Sequence, residues 1–199
     1  MSRVMDGSGA ARALEEFLGD PRDPQARLSF SRVVEADEQE LYPGDAFPEL
    51  DAWGLRRVYV PEALGGQLTS WEQLFQLARV LARRDITTTF SHGLNTLLGV
   101  ESVWVAGTAE QQRALANEVL LGARVAFAFS ERHHGADLLR SDVVARRHGE
   151  GYLLTGEKWT IGNATRGRMV TVFARTSPEG GSRGSSLFLV DKQSIAGAF

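Results

Sequence analysis

The spacing of apolar residues changes once along this chain, and that change limits the fold more than any other feature. Up to Gly122 the apolar residues recur at three- and four-residue intervals; beyond it they alternate. The first is the period of a half-buried helix and the second that of a half-buried strand. Helices gathered ahead of strands predict an α+β protein rather than an alternating βαβ chain. The expected division is a helical domain over 1–122 and a β domain over 123–199. A chain of 199 residues is long enough for one large or two small domains.

The helical half carries its own stop and start signals. Met1 to Ala10 is small and polar and is expected to fray. Ala11 to Leu18 reads as a short helix stopped by Gly19-Asp20-Pro21. Asp23 stands as a cap, with Pro24 at the first position of a helix running towards Leu41. Phe47-Pro48 opens another helix, which Gly54 ends. Thr69 and Glu72 have the spacing of a capping box, and Trp71, Leu74, Phe75, Ala78 and Leu81 then mark a core face. Ile86 to Ala106 is mostly helical, interrupted by Gly93 and Gly99. Thr108 and Gln111 form a second box, starting a helix that reaches Leu121.

Five alternating segments follow: Val125–Ser130, Ser141–Arg147, Tyr152–Lys158, Met169–Arg175 and Ser186–Val190. His148-Gly149-Glu150-Gly151 is a tight reversal between the second and third. The first strand sets Phe127 and Phe129 on one face and Ala126, Ala128 and Ser130 on the other. It breaks into a polar loop carrying Gly135. Such a strand end offers backbone N–H groups and a hydroxyl that can hold a phosphate-bearing ligand. The same pattern also describes an ordinary strand and turn.

Composition removes several classes of function. Hydrophobic content of 43% and charged content of 24% belong to a soluble globular protein. A net charge of −3 does not suggest a nucleic-acid or anionic-membrane partner. The absence of cysteine excludes disulfides, thiolate catalysis and thiolate metal sites. The N-terminus has no apolar run long enough for a signal peptide or a membrane span, and a cytoplasmic location is expected. His133 and His134 read as a solvated loop, because no third ligand stands at a usual metal spacing.

Two stretches carry a resemblance. Ser130-Glu131-Arg132-His133-His134-Gly135-Ala136-Asp137 resembles the Thr-Glu-Pro-x-Ala-Gly-Ser-Asp of acyl-CoA dehydrogenases. Gly156-Glu157-Lys158-Trp159-Thr160-Ile161-Gly162-Asn163 resembles that family's Gly-x-Lys-x-Trp-Ile-Thr-Asn. Upstream, Val60-Pro61-Glu62-Ala63-Leu64-Gly65-Gly66 is similar to its Val-Pro-Glu-x-x-Gly-Gly. Gly107 to Gln112 is similar to its Gly-Thr-x-x-Gln-Lys. The resemblance covers about residues 28 to 199.

It implies an N-terminal helical domain followed by a partial antiparallel β-barrel domain. It implies FAD as cofactor, and removal of hydrogens from the α and β carbons of an acyl thioester carried on CoA or a carrier protein. It sets the flavin against Phe127, Phe129, Ser130, Gly135 and Ala136, and against Trp159 and a strand over Thr160, Ile161 and Gly162. Ser130 keeps a hydroxyl where the family has Thr, and Gly135 keeps backbone freedom. Ala136 stands where the family has Ser, so a hydroxyl that would face the cofactor pyrophosphate or the substrate is missing. Arg132 replaces Pro and could meet a phosphate. Thr160 holds the family's Trp position and Gly162 its Thr position. The Trp159 ring comes one residue early, so either a bulge restores it to the flavin face or it is core. Glu131 and Asp137 match family positions and are expected to fix the loop by hydrogen bonds.

The family's catalytic base is a carboxylate in a C-terminal helical domain, and this chain stops at Phe199, about half the family's length. No catalytic residue is therefore assigned within it. The resemblance implies a homo-oligomer, or a second chain supplying that domain. The alternative is a catalytically silent binding or scaffold subunit, which Ala136 and Gly162 favour.

Overall fold

The structure is a computed structural model and describes residues 7–195. These fall into two compact units, residues 7–97 with 108–122, and residues 98–107 with 123–195. The fraying expected at the start of the chain lies outside the described residues as far as residue 6; residues 7–10 are already helical.

In the first unit, helix α1 (Gly7–Leu18) packs on α4 (Trp71–Ala82). Leu14 and Leu18 are buried in one cluster with Leu74, Leu77 and Leu81. Between them lie α2 (Phe30–Glu38) and α3 (Phe47–Trp53). The cap of α2 is Ser29, whose Oγ accepts from the Arg32 N–H, and not Asp23. The Asp23 carboxylate instead accepts the Gln25 N–H at 2.9 Å, closing a turn. Leu28 at φ 50° then breaks the chain, so no helix can run through it. Gly54 ends α3 with φ 102°, the left-handed stop its sequence predicts.

Helix α4 starts one residue later than the Thr69/Glu72 box requires. Ser70 is the cap, its hydroxyl accepting the Gln73 N–H at 3.1 Å, while the Gln73 side-chain Oε1 accepts the Thr69 N–H at 3.1 Å. The buried face follows Leu74, Leu77, Val80 and Leu81. Trp71 and Phe75, expected in the core, lie 45% and 59% exposed. A stripe drawn through those two rings omits Leu77, and Leu77 is 1% exposed.

Gly93 and Gly99 do not interrupt the next stretch. It runs as α5 (Ile86–Thr88), a π-helical turn over Thr89–Leu94, and α6 (Asn95–Ala106). Thr108 and Gln111 cap α7 (Ala109–Leu120) reciprocally, as their spacing predicts. Among the described residues no helix is long and apolar enough to cross a membrane.

The second unit holds a five-stranded sheet: β1 (Val125–Ala128), β2 (Val144–His148), β3 (Gly151–Thr155), β4 (Met169–Arg175) and β5 (Ser185–Asp191). The sheet is mixed, which corrects the antiparallel arrangement implied by the resemblance. β4 is its axis. β5 pairs antiparallel along one edge of β4 from Met169 to Arg175. On the other edge β1 runs parallel to β4 from Met169 to Val172, and β2 meets it in parallel only where Val144 faces Arg175. Parallel neighbours need a long crossover, and the excursion from Phe129 to Arg168 supplies it, with the β2–β3 hairpin inside. Residues 98–107 belong with this sheet. Gly99 comes so close to β1 that an added Cβ would sit 2.6 Å from the Val125 Cγ1, and its carbonyl accepts the Thr171 hydroxyl.

Candidate functional site

β1 and β2 share one edge of β4, and the chain leaves that edge between them, over residues 129–143. The pleat sets Phe127 and Phe129 on one side, and their rings stack at 4.9 Å and 17°. Phe129 also meets Phe173 of β4 at 4.6 Å. All three rings are half-buried. Ser130 follows, and there the chain is joined by a distant segment. The Trp159 N–H donates to the Ser130 carbonyl at 2.9 Å, and the Ser130 hydroxyl donates to the Trp159 carbonyl at 2.7 Å.

Sequence reasoning makes Thr160 to Gly162 a strand; the structure makes it loop and turn. Gly156 at φ 134° and Asn163 at φ 62° both depart from extended geometry. The Gly167 N–H returns to the Asn163 carbonyl at 2.6 Å, closing the turn. The two alternatives for Trp159 therefore both lapse. The segment has no strand register for a bulge to correct, and the ring is 45% exposed, so it is not core. The Arg132 guanidinium lies 3.8 Å over it, and an Arg132 Nη2 donates to Glu157 at 3.3 Å. Such an exposed cation–π contact contributes about 0.5–1 kcal/mol. Thr160 and Gly162 are exposed and Ile161 is half-buried. Ala136 and Gly135 are also exposed, and Gly135 lies outside the left-handed region with open space where a Cβ would stand, so the backbone freedom expected of it is not used.

The loop-fixing role expected of Glu131 and Asp137 takes a definite form. The Glu131 carboxylate is buried and accepts the Ser141 hydroxyl, the Val143 N–H at 3.1 Å, the Asp142 N–H at 2.7 Å and the Lys158 ammonium at 2.7 Å. Burial alone pushes this carboxyl up. The hydrogen bonds from Lys158, Ser141, Asp142 and Val143 together outweigh it and hold the group at about 2, against an ordinary 4.5. Burial holds the Lys158 ammonium below its ordinary value, and Glu131 offsets only part of that shift.

Asp137 accepts the His134 Nδ1–H at 2.9 Å, and the His134 Nε2 faces the Asp142 carboxylate at 3.3 Å. The Asp137 hydrogen bond raises the imidazole above its ordinary value. Ligand atoms of Glu131, His134 and Asp142 lie within 4.8 Å of one another. The sequence spacing hides this grouping, because loop closure brings Asp142 round to His134. Glu131 is already committed to four donors, so the cluster is satisfied as it stands.

Sequence reasoning missed two features. Lys158 is legible in the sequence only as a matched motif position, although it ties the two segments together. The Asn163 Nδ2 is buried without a partner in the second motif; Asn in a turn, where left-handed backbone is tolerated, is the one signal that could have marked the residue.

Comparison with known proteins fixes the family. Residues 25–123 match the family model for the acyl-CoA dehydrogenase N-terminal domain, and residues 126–197 match that for the acyl-CoA dehydrogenase middle domain. This chain belongs to the acyl-CoA dehydrogenase family. A probable acyl-CoA dehydrogenase of Mycobacterium tuberculosis is 32% identical over 164 residues, 80% of this chain and 41% of that protein. The human mitochondrial short-chain specific acyl-CoA dehydrogenase is 28% identical over 170 residues, 85% of this chain and 41% of that protein. Among solved structures, butyryl-CoA dehydrogenase from Megasphaera elsdenii has a TM-score of 0.76 at 22% identity, over 96% of this chain and 49% of that one. PigA, in its FAD complex, has a TM-score of 0.78 at 22% identity, over 96% of this chain and 50% of that one. The chain thus spans less than half the length of these two curated relatives.

Proposed function

We propose that this chain is the N-terminal half of an FAD-dependent acyl-CoA dehydrogenase-like oxidoreductase. Its reaction is α,β-dehydrogenation of an acyl thioester. The observation that carries the reading is the Ser130–Trp159 pairing. It sets a hydroxyl beside an exposed indole, in the two segments that resemble the family's flavin-binding motifs. Phe127 and Phe129 back this corner, and the orphaned Asn163 Nδ2 leaves a buried donor without a partner close in sequence to Thr160, Ile161 and Gly162. An aromatic ring system rich in acceptors suits that set.

A bound flavin would supply the hydride acceptor. Everything else asked of this chain is binding and orientation. Ser130 donates its hydroxyl hydrogen bond to the Trp159 carbonyl and keeps lone pairs that can accept from a ring N–H. Arg132 presents an exposed guanidinium that suits a phosphate. Gly135 and Ala136 let a ligand approach the loop without a side-chain obstacle beyond a methyl group. The base that takes the α-proton must sit within hydrogen-bond reach of it. We assign that base to residues beyond this half, from a C-terminal part, a second chain or an oligomeric partner. The supporting fact is that the chain covers 41% of relatives such as the human enzyme. We also propose 1–122 and 123–199 as the two domains, since the family matches change over between residues 123 and 126.

One observation favours a second reading, a silent scaffold or binding subunit. The Arg132 guanidinium already lies on the Trp159 ring, and a planar ligand stacking there would have to move it. Titration of the purified chain with FAD separates the two. The enzyme reading expects a saturable visible-band shift, tightened up to about tenfold in Gly162→Thr if one restored hydrogen bond is what is missing. An unchanged affinity in that variant would show that this segment does not face the flavin.

A further inference from the structure

The two segments that meet at Ser130 and Trp159 have no strand ladder between them beyond that one pair. Something else must fix which residue faces which. Lys158 precedes Trp159, and its side chain is only 8% exposed. Its ammonium has three N–H donors. They go to the Phe129 carbonyl at 2.9 Å, the Glu131 carboxylate at 2.7 Å and the Ser141 hydroxyl at 3.1 Å. Phe129 and Glu131 are the residues immediately before and after Ser130. One ammonium therefore brackets Ser130 from both sides, while Trp159 pairs with it directly. Glu131 in turn holds the chain where it enters β2, through Ser141 and the N–H groups of Asp142 and Val143.

We propose that Lys158 and Glu131 are positioning residues for the flavin site: a buried ionic latch that sets the register of Ser130 against Trp159. The inference rests on the flavin reading above. Its physical basis is that the two segments are loop rather than strand, so no ladder holds one against the other on either side of the single Ser130–Trp159 pair. A slip would take the Ser130 hydroxyl away from the Trp159 carbonyl. It would also strand an ammonium and a carboxylate, each less than a tenth exposed, without partners. Buried ion pairs are costly as glue, and fixing register is their best-attested use. The latch touches neither the ring nor the acyl group, so its effect on a ligand passes through Ser130 and Trp159.

The test uses the full 199-residue chain with Lys158→Met, Lys158→Arg and Ser141→Ala. Thr171→Val serves as a control, since it cuts a buried hydrogen bond in the same unit away from the latch. Two readouts are taken: hydrogen exchange at the Trp159 amide without cofactor, and FAD affinity from the visible band. Lys158→Met should speed Trp159 exchange and weaken FAD at least about tenfold, with Lys158→Arg restoring most of both. Ser141→Ala should move both readouts the same way by less, and decides the matter should Lys158→Met not fold. Thr171→Val should leave both near wild type. Wild-type protection at Trp159 in Lys158→Met, or in Ser141→Ala where only that variant folds, overturns the proposal. So does equal loss of FAD in Thr171→Val. If wild type binds no FAD the flavin reading fails by itself, and Trp159 exchange still decides the latch.

Discussion

Acid should remove a defined share of stability through Glu131. The carboxyl sits at about 2 in the folded chain, against an ordinary 4.5. A carboxyl lowered on folding contributes stability that is fully present above about pH 4.5 and is lost as the pH falls towards 2. At about 1.4 kcal/mol per pH unit, the difference is about 3 kcal/mol. Discounting for exposure is small here, since the Glu131 side chain is 5% exposed. The assay is urea unfolding followed by far-ultraviolet circular dichroism, from pH 7 to pH 2.5, on wild type and Glu131→Gln. The amide keeps the shape and removes the titration. The variant should be less stable at neutral pH, because Lys158 is left buried without its counter-charge. Its stability should then fall less on acidification, by about 3 kcal/mol at full protonation. An acid dependence identical to wild type would refute the reasoning, since it would mean that Glu131 holds no special partners.

Two further outcomes follow from local geometry. Thr108→Ala removes the reciprocal cap of α7 and should destabilise the chain by about 1 kcal/mol, read as a lower urea midpoint; an unchanged midpoint would count against the cap. His134 should titrate above 6.5 when followed through its ring proton by NMR, with Asp137→Asn bringing it down. Because the folded value is raised, its stabilising effect is complete below 6.5 and is lost as the pH rises through the folded value, so the loop over residues 131–142 should loosen on the alkaline side. A midpoint at or below 6.5 would contradict the Asp137 contact.

What could be read from the sequence was local. The Thr108/Gln111 box, the Gly54 stop and the hairpin at Gly149 each depend on residues within four positions, and each stands where its spacing puts it. Ser70 shows the limit of that reading. Two hydroxyls stand side by side, and Gln73 rather than Glu72 decides which one caps. Trp71 and Phe75 fall on an apolar stripe of helical spacing, and that spacing does not say which stripe α1 will cover. The parallel pairing of β1 with β4 depends on where a long excursion returns, and alternation carries no strand direction. The motif residues Ser130 and Trp159 could be named from sequence. Their pairing could not, because it joins residues 29 positions apart, and the contacts of Lys158, Glu131 and Ser141 around it span 10 to 29 positions.

The central claim is that this chain holds a flavin in dehydrogenase fashion while the proton-removing base lies elsewhere. Anaerobic mixing of the FAD-loaded chain with a series of acyl-CoAs tests it directly, followed at the flavin visible band. The expected result is no bleaching with this chain alone, and bleaching once a polypeptide with the remaining half of the family's sequence is added. Bleaching by any acyl-CoA with this chain alone would show that the base is among its own residues and would contradict the account.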